Sequence, residues 1–405
     1  MASPHSGDTV AVAPSVLRTM NRGYLYRTLF SRGPITRPQL AAASGLSQPT
    51  VIAVLADFER EGLVRTAGSP GRSGGRPAVL YEANPRAGAV AAVDIGRQWV
   101  RVIITDLSGA ALGRRNARNT ADSAQELVAI ISDAVGTTAA DAGLTPDDIT
   151  RTVIGSPGVF RPAHGRISLA ANLPGWADIN LSRMLTDTFG SDVDVENDAN
   201  LAALGEHTEG AGRNIQNFVY LHIGTGVGMG LVLNGSIYRG ATMSAGEVGY
   251  MPFLKGAGGV PDNLERGALE EAIAADAIVE VAKSMGMFGE ITSELVFTRA
   301  AAGDPAAIAT VHVEADRLAP LVASIASMID PELIIFGGGV GQNLEAFRPY
   351  LSEAFSRLTP LRPNMTVGSL GPEAVLRGAV ATGLAAAREL VLDQANVRAD
   401  PPEAT

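Results

Sequence analysis

The sequence predicts an α/β protein in two parts, a small helix-turn-helix head with a β wing and a much larger body of two similar α/β lobes. Three observations predict it. The stretch from Thr36 to Glu61, TRPQLAAASGLSQPTVIAVLADFERE, holds two helix starts separated by one glycine turn. Up to Arg86 there are ten arginines, no lysine and five acids, a formal +5, whereas the whole chain is −10 and the remainder therefore −15. After Arg86, a strand, a glycine loop and a hairpin occur twice in the same order, once around GAVAAVDIG and once in FVYLHIGTGVGMGLVLNGSIYRG.

The first helix of the head starts at Thr36, whose hydroxyl caps a free N–H while Gln39 reaches back in a capping box. Leu40, Ala43 and Leu46 form its apolar side. Gly45 supplies the positive φ of a tight turn, and Ser47 caps a second helix that begins at Gln48 and tolerates Pro49 in its first turn. Val51, Val54, Leu55 and Phe58 recur at helical spacing and face a small core. Ser47, Gln48, Pro49, Thr50 and Ala53 are left outward, where a recognition helix meets the major groove. LVRTA and AVLYEAN then read as two strands around the loop GSPGRSGGRP, a wing in which Arg72 and Arg76 are placed to hold a phosphate or enter a minor groove. Helix pairs with glycine turns also occur in ordinary helical cores; the order of caps, turn and wing, on a basic head of an acidic chain, favours DNA.

The body opens with the strands GAVAAVDIG, WVRVIITDLSG and ALGRRNA, followed by the helix-like AQELVAIISDAVGTTAADAG. In its second half Asn234 and Gly235 read as a hairpin turn. Two lobes of this kind imply a cleft whose glycine loops offer backbone donors to anions or polyols. The expected division is residues 1–14 disordered, 15–86 winged helix-turn-helix, 87–395 two-lobed body and 396–405 a disordered tail. With 46% hydrophobic and 18% charged residues the composition is ordinarily globular. No run of spanning length and no signal-peptide segment in MASPHSGDTV is read, so a cytoplasmic protein without membrane partners is expected. With no cysteine in the chain, disulfides and thiolate-bound metals are excluded.

The chain resembles the ROK family (repressor, open reading frame, kinase), in the branch that carries an N-terminal winged helix. The matching segments are DIG at Asp94, SPG at Ser156, NLPGW at Asn172, ENDAN at Glu196, GTGVGMG at Gly224, GEVGY at Gly246 and FGGGV at Phe336. Each is weak alone; their order is specific. The resemblance implies an actin-like ATPase (ribonuclease H-like) fold, with a sugar site in the cleft and the helix around Leu376 to Leu390 returning to the first lobe. It places Gly158, Asn172, Asn197, Asp198, Glu247 and Glu270 on positions that hold sugar hydroxyls, with Glu270 just before a helix and Asp198 on the catalytic aspartate of the kinases. A strand-end aspartate also serves as a cap, and a glutamate in a helix's first turn is favoured by the dipole, so both retain a purely structural alternative.

Two departures shape the expected function. Kinases of the family continue DIG with glycine and threonine, but here Arg97 follows in DIGRQ, bringing bulk to a place where backbone must approach phosphate; ATP with Mg is not expected as a cofactor. Many family members also bind zinc through one histidine and three cysteines. Here Tyr250 stands in place of the histidine, facing the sugar site instead, and Ala268 in place of a cysteine, so no zinc is expected. The leading reading is a non-catalytic transcriptional repressor whose affinity for double-stranded operator DNA responds to a sugar, acting as a homodimer or homotetramer. The competing reading is a sugar kinase with an appended DNA-binding domain, and a third is an activator or scaffold with a vestigial pocket.

Overall fold

The computed structural model describes residues 14–68, 78–170, 173–177, 179–190, 193–252 and 266–399. It divides into two compact units, the first drawn from Met1–Val90, Thr105–Ala110 and Leu384–Thr405, the second from Ala91–Ile104 and Ala111–Gly383.

The first unit starts with α1 (Pro14–Arg32), β1 (Ile35–Thr36), α2 (Arg37–Ser44), α3 (Gln48–Arg60), β2 (Val64–Thr66) and β3 (Leu80–Ala83). Local chemistry sets both helix starts. Thr36 Oγ1 accepts from the Gln39 N–H at 3.4 Å while Gln39 Oε1 accepts from the Thr36 N–H at 3.0 Å, the reciprocal capping box. Gly45, at φ +69, turns the chain and donates its N–H to Ala41 O. Ser47 Oγ then accepts from the Thr50 N–H at 3.3 Å. The two helices meet at 113°, within the range of helix-turn-helix pairs. The strands pair antiparallel in the order β1-β3-β2. The turn between β2 and β3 that carries Arg72 and Arg76 lies outside the described residues, as does the expected disordered N-terminus up to residue 13.

The second unit begins with β4 (Ala89–Ile95), β5 (Trp99–Asp106), β6 (Ala111–Arg118), α4 (Ala124–Asp141), β7 (Ile149–Ser156), β8 (Val159–Arg161), β9 (Arg166–Ser168), α5 (Leu181–Phe189), β10 (Val193–Asn197) and α6 (Asp198–Glu209). It continues with β11 (Phe218–Ile223), β12 (Val227–Leu233), β13 (Ser236–Ile237), α7 (Ala268–Ile273), α8 (Ala275–Ser284), α9 (Ser293–Ala301), α10 (Pro305–Ile329), β14 (Leu333–Gly337), α11 (Gly338–Gly341), α12 (Leu344–Leu358), β15 (Met365–Val367) and α13 (Ala374–Ala399), whose residues from Leu384 onward belong to the first unit. Among the described residues two five-stranded sheets form, ordered β10-β7-β4-β5-β6 and β13-β12-β11-β14-β15. In the second, β11 pairs antiparallel with β12 and parallel with β14. Asn234 and Gly235, at φ +52 and +72, make the expected hairpin turn. The larger core of this unit joins β11, β12 and β14 to α7 through α10 and α12, with Leu221, Phe336, Phe347 and Leu318 buried in it. Ala202 and Ala203 of α6 pack on Phe218, Tyr220 and Val232.

Two expectations are corrected. The tail assigned to disorder from Asn396 remains helical to Ala399. Nor does the head end at Arg86, because Ala387, Val391, Leu392 and Ala395 of α13 are buried in one cluster with Leu25, Tyr26 and Leu29 of α1, Phe58, Val90 and Leu107. Polar bonds reinforce the apolar packing. Arg388 stacks over the Phe30 ring at 4.2 Å and donates twice to Leu107 O, at 2.9 and 2.7 Å. Arg22 Nε donates to Asn396 Oδ1 at 2.6 Å, and Arg27 pairs with Glu389 at 2.8 Å. Leu392→Ala should therefore destabilise the head by about 3 kcal/mol. Hydrogen exchange is expected to show α1 amides losing protection while β11 amides keep theirs; unchanged protection in α1 would contradict the shared core.

Candidate functional site

The first unit presents the outward face of α3. Ser47, Gln48, Pro49 and Ala53 are exposed and Thr50 is half-buried, because Val51, Val54, Leu55 and Phe58 turn the opposite face into the core. The Thr50 hydroxyl lies 2.8 Å from that of Ser47, so the two form one polar edge. Sequence reading overlooked Ile52, which is 43% exposed two residues after Thr50 and offers an apolar contact of the kind a thymine methyl accepts. A β-branched residue inside an apolar run carries no sign of its exposure until the helix phase is known.

The second unit contains a cavity of about 640 Å³, of ligand-binding size. Of the expected ligand residues, Gly158, Asn197, Asp198, Glu247, Tyr250 and Glu270 all line it; Asn172 lies outside the described residues. The chain delivers them by element ends. Asn197 ends β10 and caps α6, with Oδ1 accepting from the Asn200 N–H at 3.1 Å and Nδ2 donating to Gly158 O at 3.1 Å. One amide hydrogen and one lone pair are left for a ligand. Gly158 is required: at φ +89 its backbone is left-handed, and a Cβ there would lie 2.6 Å from Ser168 O. Trp176, fully buried, donates Nε1–H to Ser156 Oγ at 2.9 Å, so the tryptophan of the NLPGW motif pins the SPG turn instead of facing the cavity.

Asp198 opens α6 and lines the cleft; its Oδ1 accepts from the Ala199 N–H at 2.8 Å, and its Oδ2 accepts no hydrogen bond among the described residues. Glu270 sits inside the first turn of α7, not before it as expected, and both oxygens are engaged. Oε2 accepts from the Val227 N–H at 3.0 Å and Oε1 from Arg266 Nε at 2.8 Å. Arg266 in turn pairs with Asp276 and donates to Thr225 O, so Glu270 braces the glycine loop before β12 as well as lining the cleft. Glu247 differs: its side chain makes no hydrogen bond among the described residues. Burial first, then the charges of Asp198 and Glu270, push its carboxyl up to about 7.

Asp94, at the end of β4, accepts from Arg101 Nη1 at 2.9 Å; burial pushes its carboxyl up to about 6, against the opposing pull of Arg101. Sequence reading missed Arg101, Trp99 and His222, all in the lining. Burial lowers the basicity of His222 despite the nearby charges of Asp198 and Glu270, favouring a neutral ring. Trp99 carries the Arg118 guanidinium 4.1 Å from its ring centroid. Among the described residues no cluster of side chains suits a metal ion. With no cysteine in the chain, its residues do not fit a zinc held by thiolates.

The model of the ROK family matches residues 90–384. The chain belongs to the ROK family. Similar ROK proteins include the xylose repressor of Caldicellulosiruptor bescii, 25% identical over 384 residues that span 91% of this chain and 96% of that protein. Three other repressors are matched over only 59 to 61% of their own length. The glucokinase of Halalkalibacterium halodurans is 31% identical over 62% of this chain and 80% of that enzyme. Among solved ROK structures, a transcriptional regulator homologous to the E. coli MLC protein superposes with a TM-score of 0.76 at 21% identity, covering 94% of this chain and 99% of that one. That likeness speaks to the fold.

The raised carboxyl of Glu247 has a stability consequence with a definite sign. Its folded value lies above that of the unfolded chain, so its contribution is full below the unfolded value and is lost as pH rises from about 4.5 to about 7. Glu247→Gln mimics the protonated form. It should raise the thermal midpoint of the ligand-free protein at about pH 8 and leave it near that of the parent at about pH 4; a midpoint lowered at both would show that Glu247 is not under electrostatic strain.

Proposed function

We propose that this chain is a DNA-binding transcriptional repressor whose operator affinity is controlled by a carbohydrate held in the cleft. The observation that carries this is the presence, in one chain with a fully capped helix-turn-helix, of a cavity lined by Asp198, whose Oδ2 accepts no hydrogen bond among the described residues, and by Glu247, whose carboxyl accepts none among them. Such groups accept from the hydroxyls of a polyol, and a small set of them around a cavity gives orientation and specificity. The match over nearly the whole length to a protein named a xylose repressor supports the same reading. It includes a homodimer or homotetramer, since one short recognition helix gains affinity and reads a palindrome by pairing, and it includes no metal cofactor.

Ligand can shift DNA affinity only by binding the two states differently. A tenfold loss of operator affinity corresponds to about 1.4 kcal/mol of coupling, and operator must then weaken sugar binding by the same factor. Anisotropy titrations of a labelled operator across a sugar panel test this, with Asp198→Asn expected to blunt the sugar response. Equal sugar affinity with and without operator would refute it. Treatment with a chelator should leave both titrations unchanged. In the head, Gln48→Ala is expected to relax sequence preference, whereas Arg72→Ala with Arg76→Ala should weaken binding on all sequences and lower the salt slope by about one unit for each phosphate that is no longer neutralised.

The second reading, a sugar kinase, is favoured by Asp198 in the cleft lining, whose Oδ2 accepts no hydrogen bond among the described residues, and by the kinase among the relatives. Against it, Arg97 stands at the turn where the family's kinases place backbone against phosphate. ADP release above background with any sugar of the panel would favour the kinase.

A further inference from the structure

Arg97 sits at the tip of the turn between β4 and β5, and the turn itself is held. The Gly96 N–H donates to Trp99 O at 2.8 Å, the Asn119 N–H to Gln98 O at 3.0 Å and Asn119 Nδ2 to Gly96 O at 2.9 Å. The guanidinium thus starts from a fixed backbone. It lines the main cleft and also a second cavity of about 240 Å³, bounded by Asn119, Ala121, Ser123, Leu127, Leu173 and Pro174.

Three features separate Arg97 from the other arginines around the cleft. Arg101 is matched to Asp94 and Arg266 to Glu270 and Asp276, but Arg97 makes no hydrogen bond or ion pair among the described residues. The side cavity has no carboxylate in its described lining, and Ser123, whose Oγ already accepts from the Glu126 N–H, retains its hydroxyl hydrogen to donate. The main cleft carries Asp198, Glu247 and Glu270. Charge is therefore segregated: hydroxyl-accepting carboxylates in the main cleft, and an exposed guanidinium, unmatched among the described residues, that is shared by the linings of both cavities. A neutral monosaccharide leaves that guanidinium idle, whereas an anionic substituent gains a charge-assisted, potentially bidentate bond.

We propose that the cleft takes a sugar bearing an anionic group, a phosphate ester or a carboxylate, with its hydroxyls on Asp198 and Glu247 and its anion on Arg97 in the side cavity. This rests on the sugar-sensor reading and names its ligand class. The test is calorimetric titration of the full-length protein with glucose, mannose and galactose, each beside its 6-phosphate and its uronate, together with inorganic phosphate alone. In at least one triad an anionic member is expected to bind about tenfold more tightly than its neutral parent, equivalent to about 1.4 kcal/mol. That advantage should shrink with added salt and fall below about twofold in Arg97→Gln, whose ligand-free thermal midpoint serves as the control for folding. Phosphate against uronate then identifies the anion.

A neutral parent binding as tightly as its anionic partners, an advantage that survives Arg97→Gln, or inorganic phosphate binding as well as the sugar phosphate would each overturn the proposal. If a neutral sugar releases operator DNA and Arg97→Gln leaves that release unchanged, the anionic ligand is refuted and the sensor stands. If no member of the panel binds or alters operator affinity, both are refuted.

Discussion

The cleft depends on how closely α6 approaches the first half of α13. Gly205 and Gly378 make that approach possible: a Cβ at Gly378 would lie 1.8 Å from Leu201 O, and one at Gly205 2.3 Å from Ala374 O. No rotamer relieves a clash with backbone. Beside this crossing Glu206, fully buried, accepts from the N–H groups of Ala211, Ser369 and Leu370 and from the Ser369 hydroxyl. One carboxylate thereby ties α6 to the segment that leads into α13, with charge-assisted bonds that exceed neutral ones in strength. Asp198 starts α6, and Ala374 and Val375 start α13 and line the cleft, so the position of the ligand wall follows from this one close crossing.

The carboxylates of the unit divide by how far their bonding is complete. Glu206 is saturated and structural. Glu270 is bonded on both oxygens and still faces the cavity, so it orders the loop before β12 while contributing acceptor capacity. Among the described residues Asp198 is half engaged, and Glu247 not at all. A half-buried acceptor without donors costs free energy that a ligand's hydroxyls return, and the crowding of Asp198, Glu247 and Glu270 adds to that cost. Ligand preference is thus written into the unfilled valences of the cleft as much as into its shape.

The head was legible in sequence because its determinants are local. Thr36 with Gln39, Gly45, and Ser47 with Thr50 act within four residues of one another, as does the Asn234–Gly235 turn, and capping and turn chemistry depend on little else. Much of the cleft was legible through the order of short motifs, which carried Gly158, Asn197, Asp198 and Glu247 together. What was not legible depends on distant packing. Arg101 and Trp99 read as ordinary strand residues until β5 is laid beside β4, and Trp176, present in the sequence only as the end of the segment NLPGW, gave no sign of its core position and its bond to Ser156. The burial of Ala387 and Val391 against α1 had no signal in sequence, since an apolar helical stripe states that it needs a partner and not which one.

That packing of α13 on α1 bears on how the protein is made. The core under α3 is closed by residues translated after the whole of the second unit, so the first unit is not the contiguous first 86 residues that its motifs suggest. On the ribosome, where domains generally fold as units and the N-terminal one first, α1 to α3 must wait with Leu25, Tyr26 and Phe58 incompletely covered until α13 emerges. A chain that stops short of α13 therefore carries α3 without the finished core beneath it. Synthesis of that helix becomes a built-in condition for completing the first unit.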